Sequence, residues 1–350
     1  MRFVVIGGSG FIGPYIIREL VRQGHQVTLI HRGNARPSLP PSVERIPTDR
    51  NKLRIHRKKF EQLKPDAVID IILSDERQAK DLMETFQGIA GRVIALSSQD
   101  VYRAYGVLLG SEPGPPQPTP LTEDSELRTK LHPYQPEQLR MAQSVFGWIT
   151  EDYDKIPVEQ AVLGDGRLPG TVIRLPMVYG PGDPLHRLFP IVKRIADGRH
   201  AILLEEKNAK VRLPRGYVEN VAAAVALAAT SPGAAGRIYN IAMPENFSEL
   251  EWAQKIGQAM TWTGPVVSVP TDQAPKHLHT LMNTEQDWAV SSARIREELR
   301  FVEPIPLDVS LARTIEWERA NPPGIDPAQF DYAAENSALE KLRSQGVLSK

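Results

Sequence analysis

The chain opens on an apolar run, Phe3-Val-Val-Ile6, mostly β-branched or aromatic and closed by glycine, the pattern of a strand buried on both faces. Over residues 11–23 the apolar positions change to helical spacing and stop before Gly24, which is placed to end a helix. Residues 26–30 return to strand character. Positions 1–30 therefore read as strand, glycine turn, helix, strand, about the 30 residues that a βαβ unit requires. Further strands are expected at 43–46, 67–73, 92–96, 171–175 and 238–241, with helices at 75–86 and 217–229. This alternation predicts an α/β chain built on a doubly wound parallel sheet.

Two regions break the rhythm. Residues 104–152 hold no clear strand and include Glu112-Pro-Gly-Pro-Pro-Gln-Pro-Thr-Pro120, rich in turn chemistry. So long an interruption is expected to be a functional loop or lid, or else partly disordered. The second region, 181–215 and 244–321, reads as a smaller α+β C-terminal portion that binds substrate. Residues 1–180 form the dinucleotide-binding domain, to which 216–243 return, and 322–350 form a polar arm. No internal repeat is evident.

Composition narrows the function classes. With 42 basic and 42 acidic residues the 350-residue chain has no net charge, so no global field draws it to nucleic acid or an anionic membrane. It has no cysteine, which removes disulfides, thiol nucleophiles and cysteine-bound metals. The eight histidines are scattered and show no ligand spacing, so no metal is expected. The first residues read as a buried strand and not a signal peptide, and the apolar stretch 221–229 is too short to span a bilayer. A soluble, cytoplasmic protein is expected. The basic run 54–59 reads as a solvated helix face.

The first turn carries the clearest chemistry. Gly7, Gly10 and Gly13 are spaced G-x-x-G-x-x-G between a strand and a helix. The first glycine permits the tight turn, the second a close approach of backbone to a pyrophosphate, and the third close packing of helix on sheet. The helix N-terminus then offers free N–H groups and its positive end to phosphates. A dinucleotide is expected on Gly7, Ser9, Gly10, Phe11, Ile12 and Gly13. The second strand ends in His31-Arg32-Gly33, without the carboxylate that bonds the ribose of NAD. Arg32 is suited to a 2′-phosphate, so NADP is expected, with NAD as the alternative.

In sequence order, these features resemble the extended, here atypical, short-chain dehydrogenase/reductase superfamily, in its NAD-dependent epimerase/dehydratase group. The resemblance spans positions 1 to about 321. It rests on the glycine turn, on Thr48-Asp49, on Ser97-Ser98-Gln-Asp-Val-Tyr102, on Arg174-Leu-Pro-Met-Val-Tyr-Gly-Pro-Gly182, and on Arg215-Gly-Tyr-Val-Glu-Asn-Val221. It implies a Rossmann fold, with Asp49 at the adenine, Ser97 near the cofactor, Ser98 as the catalytic hydroxyl, and Pro176 and Val178 beside the nicotinamide. It implies a small-molecule substrate, often a sugar nucleotide, and often a homodimer. Arg187, Arg194 and Arg215 fall where the family binds substrate phosphates, although each alone reads as a surface charge.

The family uses a tyrosine as acid or base, with a lysine four residues later that tunes it. This chain departs from that pattern. Lys155 and Glu159 match, but the tyrosine position is Glu151, and Tyr153 stands two residues before Lys155. On a regular helix, two residues apart point to nearly opposite sides. Pro157, however, belongs in a helix's first turn, so the helix should begin near 153 or 154 and leave Tyr153 free to reach Ser98. The expected set is thus Ser98, Tyr153 and Lys155, with Lys155 also on the ribose. Alternatively, Tyr153 packs against the proline-rich segment and the acid is lost or rebuilt. Asp100 and Tyr102 are further proton carriers nearby, Asp100 reading first as a loop cap. The expected activity is reductase, epimerase or dehydratase chemistry at a hydroxyl or carbonyl carbon. The rival is a non-redox binding protein, such as an RNA-binding relative of the chloroplast stem-loop binding proteins.

Overall fold

Seven strands form the central sheet: β1 (Arg2–Ile6), β2 (Gln26–His31), β3 (Glu44–Pro47), β4 (Ala67–Asp70), β5 (Val93–Ser98), β6 (Gly170–Leu175) and, after three strands outside the sheet, β10 (Ile238–Asn240). The computed structural model describes residues 1–33 and 38–345. All pairings are parallel, and the strand order is β10-β6-β5-β4-β1-β2-β3. Side chains alternate between faces, as the strand period of two demands. Phe3, Val5, Leu29, Ile69 and Ile94 join one apolar cluster, while Val4, Ile6, Ile30, Val68 and Val93 join the other. Both faces are dry, which is why these strands read as unbroken apolar runs.

The helix after β1 is Gly13–Arg22, with Pro14 in its first turn, and it buries Ile16, Ile17 and Leu20 against the helix Val218–Thr230. Gly24 follows at φ 83°, the left-handed geometry of a helix stop. β4 ends earlier than expected. After Asp70 the chain leaves the sheet, because that buried carboxylate accepts the backbone N–H of Ile72 and pairs with Arg50. Ile71 and Ile72 become cavity wall instead of strand.

The interruption at 104–152 is ordered. It contains the short helix Arg103–Leu108 and the ten-residue helix Pro136–Val145, which has no buried residue. Beyond β6, β7 (Met177–Tyr179) pairs with β9 (Arg215–Tyr217), and β8 (Ile202–Glu205) pairs with β11 (Val266–Val269). The final helix, Tyr332–Ser344, packs Ala338, Leu339 and Leu342 onto Ala201, Leu203, Val267 and Val269. Residues 346–350 of the expected arm lie outside the described residues.

Strand β1 has β2 on one side and β4 on the other, so the strand order reverses there. The crevice beyond the carboxyl ends of β1 and β4 is where such sheets hold ligands.

Candidate functional site

A cavity of about 680 Å³ opens at that crevice. Its floor is the glycine turn. Gly7 has φ 83°, and a Cβ there would overlap Ile72 at 2.5 Å. Gly13 lies so close to Gly8 that an added Cβ would stand 2.4 Å from the Gly8 Cα. At Gly10, by contrast, an added Cβ would meet none of the described residues within 4 Å. The first and last glycines serve turn and packing, and the middle one leaves open space over a helix start whose N-cap, Ile12, supplies no side-chain cap. That is a cradle suited to a pyrophosphate.

The other expected cofactor residues surround the same cavity: Ser9, Phe11, Ile12, Arg32, Asp49, Ser97, Lys155, Pro176 and Val178 all line it. Asp49 caps the short helix Arg50–His56 by accepting the N–H of Asn51. Arg32 is exposed at the rim and donates to the Gly147 carbonyl at 3.4 Å. Phe146, Trp148 and Thr150 build the facing wall, so the interrupted region is one side of the site.

Ser98, Tyr153 and Lys155 also line this cavity. Glu151 is exposed and does not. The helix begins at Lys155, with Asp154 as its N-cap accepting from Ile156 and Pro157 in its first turn. Tyr153 precedes the helix, so helical spacing does not set its direction. Its ring is buried, its hydroxyl donates to Asp100 Oδ2 at 2.9 Å, and it is hydrogen-bonded with Ser98 as well. Lys155 is 3% exposed and donates to the carbonyls of Leu73 and, at 3.0 Å, Leu96. Its ammonium lies 5.0 Å from the Trp148 ring centre and 5.7 Å from that of Tyr153.

Electrostatics follow from this burial. Desolvation pulls the Lys155 ammonium down to about 8, against support from Asp100, Asp70 and Glu159. Desolvation, then the charge of Asp100, push the Tyr153 phenol well above the usual tyrosine range.

Several residues stand elsewhere than sequence suggested. Asp100 is not a loop cap: Ser98 caps the short helix Gln99–Val101, and the Asp100 carboxyl is buried against tyrosines. Tyr102 points away into the core, donating to Asn240 and accepting from Arg174, and burial pushes it up to about 12. Arg194 and Arg215 are not surface charges; they are 4% and 9% exposed and pair with Glu335 and Glu249. Arg187 lines the cavity but is tied to Asp183 and the Val178 carbonyl. The basic run pairs outward, Arg54 with Asp81 and Glu84. Tyr134 was not foreseen; it lines the cavity and stacks on Tyr153 at 5.4 Å and 26°. Its clue was an aromatic flanked by prolines, Pro133 and Pro136, in an otherwise polar stretch. Among the described residues no group of histidines and carboxylates could hold a metal, and no helix is long and apolar enough to cross a membrane.

Comparison with known proteins bears on the family and the fold. The sequence model of the NAD dependent epimerase/dehydratase family matches residues 3–242. A 2′-dehydrokanamycin reductase of Streptomyces kanamyceticus is 27% identical over 287 residues, 79% of this chain and 72% of the relative. A UDP-N-acetyl-α-D-glucosaminuronate decarboxylase of Bacillus cytotoxicus is 25% identical over 343 residues, 91% and 98% of the two chains. Among solved structures, a dTDP-glucose 4,6-dehydratase of Bacillus anthracis in complex with NAD has a TM-score of 0.65 at 14% identity, covering 94% of this chain and 99% of that one. The last likeness establishes the fold. The relatives are enzymes, and they do not favour the RNA-binding alternative.

Proposed function

The chain belongs to the NAD-dependent epimerase/dehydratase family, a family of enzymes, and we propose that it uses NADP to move hydride to or from an oxygen-bearing carbon of a sugar nucleotide. One observation carries the reading. Tyr153, Ser98 and Lys155 line the same cavity as the glycine cradle, although the tyrosine sits two residues before the lysine. When bound, the nicotinamide supplies hydride acceptance and donation. Gly10 and the uncapped start of the first helix hold the pyrophosphate, and Asp49 faces the adenine end. Arg32, at the end of β2 where no carboxylate stands, takes the 2′-phosphate in a charge-assisted pair. Lys155, with two of its three protons on carbonyls, has one left for the ribose. Ser98 orients the substrate oxygen, and Tyr153 carries its proton. The sugar-nucleotide class is drawn from the relatives' names.

Trp148 in the cavity wall gives a test of the cofactor, since dinucleotide binding should change its fluorescence. NADP should bind at least about tenfold more tightly than NAD, the effect of one charged hydrogen bond. Arg32→Ala should erase that preference. Tighter binding of NAD would overturn the NADP assignment. Hydride transfer from a panel of UDP- and dTDP-sugars tests the substrate class.

A further inference from the structure

The carboxyl of Asp100 lies behind the cavity wall, 2% exposed. Two phenols converge on its Oδ2: Tyr153 donates at 2.9 Å and Tyr134 at 3.3 Å. Tyr105 is hydrogen-bonded in turn to Tyr134. The other oxygen, Oδ1, is buried with no hydrogen-bond partner among the described residues. A carboxylate so placed normally has a cation in direct contact, and the nearest candidates are otherwise engaged. Arg128 gives its Nε to the Asp100 backbone carbonyl, one terminal nitrogen to the Lys130 carbonyl, and the other to Asp154 at 3.2 Å. Lys155 is held by the carbonyls of Leu73 and Leu96. The ionisable groups facing Asp100 are thus Tyr153, Asp154 and Lys155 at the helix start, and Tyr105, Arg128 and Tyr134 from the interrupted region.

The same geometry separates Tyr153 from the usual tuning by lysine. Lys155 meets the face of the Tyr153 ring and not its hydroxyl, so the group in line with the phenolic proton is a carboxyl. Resting on the reading of Tyr153 as proton carrier, we infer that Asp100 is its proton store, a positioning residue that touches neither substrate nor cofactor. In the oxidative direction the substrate carbon gives hydride to the nicotinamide as its O–H bond breaks. That proton goes to the Tyr153 oxygen, and the proton Tyr153 already carries moves to Asp100 Oδ2, so the phenol ends as it began. Reduction runs the same transfers backwards, drawing its proton from Asp100. Desolvation pushes the Asp100 carboxyl upward, against the nearby charge of Arg128, which suits a group that must hold a proton away from acid conditions.

Asp100→Asn keeps the size of the side chain and an oxygen to accept from Tyr153, but it cannot take a proton. The experiment uses the full chain, with wild type, D100N and Y153F compared. Infrared difference spectra over a pH titration with NADP bound should show a protonated-carboxyl band that is absent in D100N and shifted in Y153F. Hydride transfer from UDP-glucose, read as nicotinamide absorbance, should fall about 100-fold or more in D100N. For wild type it should fall as pH drops through the band's midpoint, and D100N should lose that limb. If the band is missing or unmoved by Y153F, Asp100 is not the partner of Tyr153 and the inference fails. A dead Y153F beside a D100N of wild-type rate and pH profile overturns the inference alone. A fully active Y153F overturns the reading of Tyr153 beneath it. If wild type takes no hydride from UDP-glucose, that sugar nucleotide is rejected and the infrared band decides.

Discussion

Two polar networks leave the end of β5 in opposite directions, one from Ser97 and one from Ser98. Ser97 donates to Glu159 at 2.5 Å, and Glu159 receives Arg174 through Nε and, at 2.7 Å, through a terminal nitrogen. Arg174 continues to the Tyr102 hydroxyl and the Glu123 carbonyl, and Tyr102 to Asn240. The charged members are almost wholly buried and meet in fork geometry, so the network is closed. The Ser98 side differs in kind. Ser98, Tyr153 and Lys155 border the cavity that Ser97 also reaches, and behind them one Asp100 oxygen has no hydrogen-bond partner among the described residues. Adjacent serines on one strand thus serve different ends because the strand turns them to different faces. The closed network holds β5, β6 and the helix Lys155–Leu163 together, whereas the open one has donors and acceptors left for a ligand.

The contrast is broken most sharply at Tyr153. Tyr153→Phe should lower turnover by about 10²–10⁴-fold, the usual contribution of a positioned acid or base; near-normal turnover would remove the assignment. On the closed side, Glu159→Ala strands Arg174 in the core and should cost about 3–5 kcal/mol in urea unfolding. An unchanged unfolding midpoint would mean the pair is not buried as described.

Lys155 gives the open side a pH signature. Its folded value, about 8, lies below the ordinary 10.5, so between these limits the unfolded chain binds the extra proton and stability rises with pH. Relative to Lys155→Met, wild type should gain about 2 kcal/mol from pH 8 to pH 10, roughly 1.4 kcal/mol for each unit within the window. The tyrosines common to both proteins cancel in that difference. Parallel stability curves would contradict the burial of a charged lysine. The smallest effect separates the neighbours themselves. Ser97→Ala and Ser98→Ala should each cost about 1 kcal/mol of stability, one losing its bond to Glu159 and the other the cap of the short helix, but Ser98→Ala should lower turnover much further. Identical behaviour of the two would erase the distinction.

The two networks were unequally readable from sequence. The glycine turn is local: strand, turn and helix follow within one stretch, and Gly7, Gly10 and Gly13 each meet a demand set by neighbours in sequence or by the ligand itself. The parallel strands were visible for a similar reason, since burial on both faces removes polar positions. β4 is shorter than its sequence implies: Ile71-Ile72-Leu73 is as apolar as a strand, and the buried Arg50–Asp70 pair ends it. Helix Pro136–Val145 escaped notice because it has no core face, so periodicity had nothing to register. Pro157 did locate the start of the following helix and left Tyr153 free of helical geometry. The partnership of Asp100 with Tyr134 and Tyr153 joins positions 34 and 53 residues apart, which no local pattern records.

Helix Pro136–Val145 leaves Met141 67% exposed, yet its end and the following turn wall the cavity. Because the core gains little from the helix, its opening should cost little free energy while the sheet and the turn held by Thr150 stay intact. The helix amides should therefore exchange with solvent far sooner than those of β1 or β5. In a chain with no native cysteine, a single thiol at position 141 would report each opening in isolation.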